Sequence, residues 1–434
     1  MSINYLKRAH KTTSTEADAV RQQVKSMLDK IEEGGDQTAL KYARDLDQWD
    51  GPIVVSQETI QAAESALSEQ LRSDIHLAHR NVNRFANAQR EAIQNVQIEV
   101  VPGLIAGQKQ IPIHTAGCYV PGGRYSHIAS AIMTVTTAKA AGVQHIIACS
   151  PPKPGIGMSP AMLYTLNLCG ADSIINLGGV QGVAAMVFGL FGLPQADILV
   201  GPGNQFVAEA KRVLFGRVGI DMLAGPTEIL MIADASADPE MVTRDLIGQA
   251  EHGYNSPVWL IALDRRLAEQ VVELAPQLAG ELPGVNGESA RAAWADFAEV
   301  AVVDERQEAV ALADEYAAEH LHVQCADLDW WLAKLRNYGS LFLGEETTVA
   351  FGDKVSGPNH VLPTNGAARY TGGLSVGKFL KTVTWQRMTQ EANRQIAPAC
   401  ARISRLEGME GHARTADVRL EKWLPHEDFN LSAD

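Results

Sequence analysis

Between residues 15 and 100 the apolar positions recur at helical spacing, Val20, Val24, Met27, Leu28 and Ile31 among them, in a background of Ala, Gln, Glu, Lys and Leu. This spacing predicts a helical lead-in. From about residue 111 the pattern changes to short β-branched runs that end in glycine and are followed by helix-forming stretches. Examples are CYVPGG, HIIACSPP, SIINLGG before VQGVAAMVFGL, and ILVGPGN before QFVAEAKRVLF. Such alternation predicts parallel strands joined by crossover helices. A second α/β stretch follows, with ILMIAD, VWLIAL, AEVAVV and SLFLGE as strands among helical segments such as MVTRDLIGQAEHG. After Pro363 the chain is glycine-rich, then helical and polar to the end, which predicts a small C-terminal appendage packing elsewhere or onto a partner.

At 434 residues the chain exceeds one ordinary core, so two or more domains with a cleft between them are expected. A hydrophobic content of 46% with many glycines and few aromatics suits a packed α/β enzyme. The net charge of −14 argues against nonspecific binding to nucleic acid or an anionic membrane, because the mean field repels phosphate. An anionic ligand therefore needs local positive groups. Five cysteines show no CxxC spacing and read as reduced thiols, which makes the cytoplasm the expected compartment. The N-terminal residues lack the apolar core of a signal peptide, and no segment reaches the roughly 20 apolar residues of a membrane helix. The longest candidate, residues 183–193, reads as a buried helix.

Two strand-to-helix turns, Gly178-Gly179-Val180-Gln181-Gly182 and Gly201-Pro202-Gly203-Asn204, are of the kind that aims first-turn amides at a pyrophosphate. Neither is a GxGxxG fingerprint, and each is equally a tight turn. Asp221 lies at the spacing of a ribose-binding carboxylate, a coincidence of little weight without that fingerprint. Tyr119 beside Pro121-Gly122-Gly123 could flank a nicotinamide or an adenine. Gln249 and His252, three apart, share one face if IGQAEHG is helical, although His252 before a glycine also suits a helix C-terminus. Asp353 and His412 stand in glycine-flanked segments. An amide, a carboxylate and two imidazoles form an N/O donor set suited to zinc, and the lack of nearby cysteines points to a catalytic rather than a structural metal. Glu319-His320 precedes an apolar, strand-like run: an imidazole can accept a hydroxyl proton and a carboxylate can activate water, while the plain alternative is a solvated helix end.

Together these stretches resemble the histidinol dehydrogenase family over most of the chain. The specific motifs are YVPGG at 119–123, GGVQ at 178–181, GPGN at 201–204, AGPTE at 224–228, QAEHG at 249–253, EHL at 319–321 and SGPNHVLPT at 356–364. The resemblance implies zinc on Gln249, His252, Asp353 and His412, NAD near Tyr119, Gln181 and Asn204, and Glu319 with His320 as the proton-handling pair. It implies two Rossmann-like domains in an intertwined homodimer with shared active sites, the C-terminal segment carrying Glu407 and His412 into the partner. The expected division is an arm over 1–14, a first domain over 15–118 plus 228–374, an NAD-binding domain over 119–227, and a dimer-exchanging segment over 375–434. Thr227 and His360 join Glu407 as expected substrate contacts.

The chain departs from amino-alcohol members of the family after PGG, where their small apolar turn is replaced by Arg124-Tyr125-Ser126-His127. Val349 also stands where those members place a glutamate before the zinc aspartate. Gaining a guanidinium and losing a carboxylate both favour an anionic substrate, held by Arg124 and His127. The expectation is therefore the branch that takes 2,3-dihydroxypropane-1-sulfonate to sulfolactate with two NAD. Oxidation of histidinol is the alternative, and a zinc hydrolase or a noncatalytic nucleotide binder on the same fold is a remoter one.

Overall fold

The computed structural model describes residues 3–11, 17–122, 127–223 and 225–432. Strand β1 (Asn4–Lys7) precedes three helices, Ala17–Leu46, Gln57–Ser65 and Glu69–Ala92, which form the lead-in. The lead-in stops short of residue 100, because β2 (Val96–Val101) and β3 (Leu104–Pro112) pair as an antiparallel hairpin. Alternating Val96, Ile98 and Val100 are β-formers that the helical reading passed over. A first α/β run contains β4 (Thr115–Tyr119), β5 (His145–Ser150), β6 (Ser173–Asn176), β7 (Ile198–Val200) and β8 (Gly219–Ile220). A second contains β9 (Ile229–Ala233), β10 (Val258–Ala262), β11 (Ala298–Val302), β12 (His320–Gln324) and β13 (Ser340–Leu343). The segment expected to be helical to the end instead opens with β14 (Leu380–Met388), and only then forms the helices Asn393–Leu406 and Glu410–Trp423.

The fold is α/β with parallel sheets. A five-stranded sheet runs β6-β5-β4-β7-β8, parallel throughout, and a six-stranded sheet runs β1-β11-β10-β9-β12-β13, with β1 antiparallel to β11. The central strand β9 shows why its sequence is an unbroken apolar run. Ile229, Met231 and Ala233 enter the core on one face while Leu230 and Ile232 enter the core on the other. The lead-in packs on the five-stranded sheet's helices: Ala17–Leu46 lies on Gly179–Phe188 and Gln205–Leu214, and Gln57–Ser65 lies on Pro160–Cys169. The buried helix expected over 183–193 is Gly179–Phe188, and it stops short of the expected end: Leu190–Gly192 form a separate 3-10 turn with none of its residues buried.

In both sheets the strand order reverses beside the first strand of the run, between β4 and β7 and between β9 and β12. Ligand crevices of open α/β sheets form at such points. The chain divides into two compact units, Met1–Arg90 with Pro112–Phe379, and Glu91–Ile111 with Leu380–Asp434. The second unit holds the sheet β14-β3-β2 and the packed helix pair Asn393–Leu406 and Glu410–Trp423 around Ala397, Ala401, Ala416 and Leu420. Among the described residues no helix is long and apolar enough to cross a membrane.

Candidate active site

Alternation along β12 sends Leu321 and Val323 into the core on one side, leaving His320, His322 and Gln324 on the other. Glu319 is 7% exposed and His320 2%, so the pair is a buried strand entry and not a solvated helix end. The Glu319 carboxylate accepts from the Thr227 hydroxyl at 2.6 Å and the Glu228 amide at 2.9 Å. His320 Nδ1 donates to the Glu228 carbonyl at 2.9 Å. This leaves Nε2 as the lone-pair nitrogen, and it is buried without a hydrogen-bond partner. The neighbours approach each other, His320 Nδ1 lying 3.5 Å from Glu319 Oε2. Burial pulls the His320 pKa down, but the Glu319 and Asp353 carboxylates outweigh it and hold the imidazole up to about 9, so the ring accepts a proton at Nε2 only in the neutral form it reaches as pH rises toward that value. Burial pushes the Glu319 carboxyl up, opposed by His320 and the Thr227 hydrogen bond.

Gln249 occupies the last turn of the helix Pro239–Ala250, whose N-terminus Asp238 caps. The helix ends before His252, which corrects the single-helix reading. A continuing turn nevertheless keeps the two together, the His252 amide donating to the Gln249 carbonyl at 3.3 Å. His252 Nδ1 donates to the same carbonyl at 3.2 Å, so Nε2 carries the free lone pair, 3.9 Å from Asp353 Oδ2. Asp353 sits in the short helix Val349–Lys354, with Oδ1 3.7 Å from His320 Nε2. Gln249 Nε2 donates to Thr227 at 2.7 Å, which leaves its carbonyl oxygen as the available donor atom to a cation.

Gln249, His252 and Asp353 thus meet beside His320. Among the described residues no three His, Cys, Asp or Glu side chains close on one point as a metal site. The donor set nevertheless fits zinc. It is an amide oxygen, an imidazole oriented through its second nitrogen and a carboxylate, gathered at a helix C-terminus whose dipole favours a cation. His412 and Glu407 belong to the second unit, both exposed, on and just before the helix Glu410–Trp423.

His360 Nδ1 donates to the Asp353 backbone carbonyl at 2.8 Å, and its Nε2 accepts from Ser130 at 3.0 Å. It lines a cavity of about 310 Å³ with Asp353, Phe342 and Asn359. His127 is half-buried at the start of the helix Ile128–Ala131. Arg124 lies outside the described residues. Val349 is 3% exposed and packs with Phe342 in the core, so packing alone accounts for its apolar side chain and it carries no argument about substrate charge.

At the carboxyl ends of β4 and β7 a cleft of about 430 Å³ is lined by Asp47, Tyr119, Pro121, Gly178, Gln181 and Asn204. Gly201 closes the turn at φ +110°, where any Cβ would collide with the Tyr119 carbonyl. Several of the expected anion-facing amides already have partners. Gly179 N donates to the Tyr119 hydroxyl at 3.0 Å and Gly178 N to Asp47 at 2.9 Å, while Asn204 Oδ1 accepts from Phe206 N and Val207 N. Asp221 is buried against Lys211 and accepts from Gly201 N at 2.7 Å, so it braces the turn and does not face a ribose. Asp47 is the residue sequence reasoning missed, since nothing beside it marks it out from the other acidic residues of the lead-in.

The family model of histidinol dehydrogenase matches residues 10–420. A sulfopropanediol 3-dehydrogenase of Ruegeria pomeroyi is 61% identical over 434 residues, all of both chains. A histidinol dehydrogenase of Thermus thermophilus is 40% identical over 92% of this chain and 94% of its own. The crystal structure of histidinol dehydrogenase from Elizabethkingia anophelis matches with a TM-score of 0.90 at 33% identity, covering 95% of each chain. Dehydrogenases of this family depend on NAD and use zinc, in keeping with the cleft and the donor set. The chain belongs to the histidinol dehydrogenase family and is a dehydrogenase acting on a CH–OH group.

Proposed function

We propose that the chain oxidises 2,3-dihydroxypropane-1-sulfonate through its aldehyde to 3-sulfolactate in two NAD-linked steps. The observation that carries this reading is the 61% identity, end to end, with the Ruegeria pomeroyi sulfopropanediol 3-dehydrogenase, against 40% with the Thermus thermophilus histidinol dehydrogenase. Arg124 adds a positive group suited to a sulfonate, and His127, whose pKa burial lowers, adds an imidazole that can donate a hydrogen bond.

His320, tied through Nδ1, takes the hydroxyl proton at Nε2 as hydride departs from the same carbon. Glu319 then takes a proton from the water that adds to the aldehyde while His320 returns its proton to the carbonyl oxygen, and the resulting hydrate gives a hydroxyl proton to His320 as the second hydride leaves. Thr227 holds Glu319 in place through its hydroxyl. Tyr119, Gln181 and Asn204 would hold NAD, which when bound supplies the hydride acceptor for each round. Gln249, His252, Asp353 and His412 would hold zinc, which when bound polarises the reacting oxygen.

The same reading makes the protein a homodimer of intertwined chains with two Rossmann-like domains each, a second copy supplying Glu407 and His412. Support comes from the second unit, where Ile403, Leu406 and Met409 are exposed around those two residues, an apolar surface suited to a partner.

The test is a substrate comparison with zinc and NAD present. The diol sulfonate is expected to form NADH with a kcat/KM about a hundredfold or more above that of L-histidinol. Turnover confined to histidinol would move the chain to the amino-alcohol members, and turnover without NAD would reject the dehydrogenase chemistry.

A further inference from the structure

The chemistry proposed above leaves one charged group in the cofactor cleft without a task. Asp47 follows the helix Ala17–Leu46 and reaches the cleft wall beside Tyr119, Gly178 and Gln181. Its Oδ2 accepts from Gly178 N at 2.9 Å and from Gln181 Nε2 at 2.8 Å. Oδ1 has no hydrogen-bond donor among the described residues, and it lies so close over Gly178 that a Cβ there would stand 2.6 Å away.

The same contact orients Gln181. With its nitrogen committed to the carboxylate, its carbonyl Oε1 is the remaining polar atom, and Oε1 is buried without a partner in a residue only 2% exposed. Two acceptors on neighbouring residues of one cleft therefore lack donors. Gln181 Oε1 is the buried one, while Asp47 Oδ1 is open to water, so a ligand that displaces that water and completes this wall brings hydroxyl or amino hydrogens. A vicinal diol brings them. A phosphomonoester brings none and adds like charge beside Asp47. At the helix N-terminus that would welcome a phosphate, two amides are already taken, by Asp47 at Gly178 and Tyr119 at Gly179.

We infer that Asp47 is the residue that sets cofactor choice: Oδ1 accepts the hydroxyls of the adenosine ribose and rejects a dinucleotide phosphorylated at the 2′ position. This rests on the cleft being the dinucleotide site. Binding and turnover of NAD and NADP should be compared in the wild type, Asp47→Asn and Asp47→Ser, with one alcohol substrate and the thermal midpoint recorded for each. Asparagine keeps an oxygen for the Gly178 amide and puts an NH2 donor in place of Oδ1, so it removes the charge and that acceptor together. The wild type is expected to favour NAD in kcat/KM, and both variants should lower the NAD-to-NADP ratio by about tenfold or more, mainly through a smaller KM for NADP. A ratio unchanged in both folded variants, or a wild type indifferent to the 2′-phosphate, overturns the inference. Failure of the cleft itself reads differently: Tyr119→Ala and Asn204→Ala would then bind NAD as tightly as the wild type.

Discussion

His320 and Glu319 share a strand entry yet differ in what surrounds them. The Glu228 carbonyl fixes one tautomer of the neutral imidazole, so Nε2 is then the proton acceptor, whereas two donors on one Glu319 oxygen oppose the upward push of its burial. Asparagine at 320 can keep the hydrogen bond to Glu228 but cannot take a proton, so His320→Asn should lower kcat for alcohol oxidation by roughly 10²–10⁴. Glu319→Gln should spare the first step and slow oxidation of supplied aldehyde by about a hundredfold. Single-turnover NADH formation from alcohol and from aldehyde separates the two, and an equal loss on both substrates in either variant contradicts the division of work. The letters EHL pointed to this pair, but its burial and its dependence on Thr227, 92 positions away, were invisible in a one-dimensional reading. Asp47 was hidden for the same reason, since its partner Gly178 lies 131 residues further along.

Among the elements, apolar runs such as ILMIAD and VWLIAL were readable because strands buried on both faces need unbroken hydrophobic sequence. Strands β2 and β14 were not, because most of their residues are exposed and their mixed pattern sits in helix-rich surroundings. Placement of chemistry also departs from the usual rule. The cofactor cleft lies at the carboxyl ends of β4 and β7, but Thr227, Glu228, Glu319 and His320 gather at the amino ends of β9 and β12, facing a helix C-terminus that suits a cation. The turn after β7 is braced by a buried ion pair, Lys211 with Asp221, whose side chains are 5% and 0% exposed. Lys211→Met leaves that carboxylate uncompensated and should cost about 3–5 kcal/mol in urea unfolding. Unchanged stability would show that the pair braces nothing.

Across the whole molecule, two sheet-bearing regions followed from the alternation of strand and helix patterns, while the second compact unit was legible only in its C-terminal part. It joins residues 91–111 to residues 380–434 through pairing of β3 with β14, a long-range register that local periodicity does not encode. That unit carries His412, the fourth of the proposed zinc donors, whereas Gln249, His252 and Asp353 already meet in the first. Metal content per folded chain tests this convergence most directly, measured on the wild type and on Gln249→Ala, His252→Ala, Asp353→Asn and His412→Ala. The wild type should hold about one zinc, lose NADH production on chelation and regain it with zinc, and each variant, His412→Ala included, should lose the metal. Full zinc occupancy in all four variants, or a wild type that holds no zinc and works as well without it, would contradict the site described here.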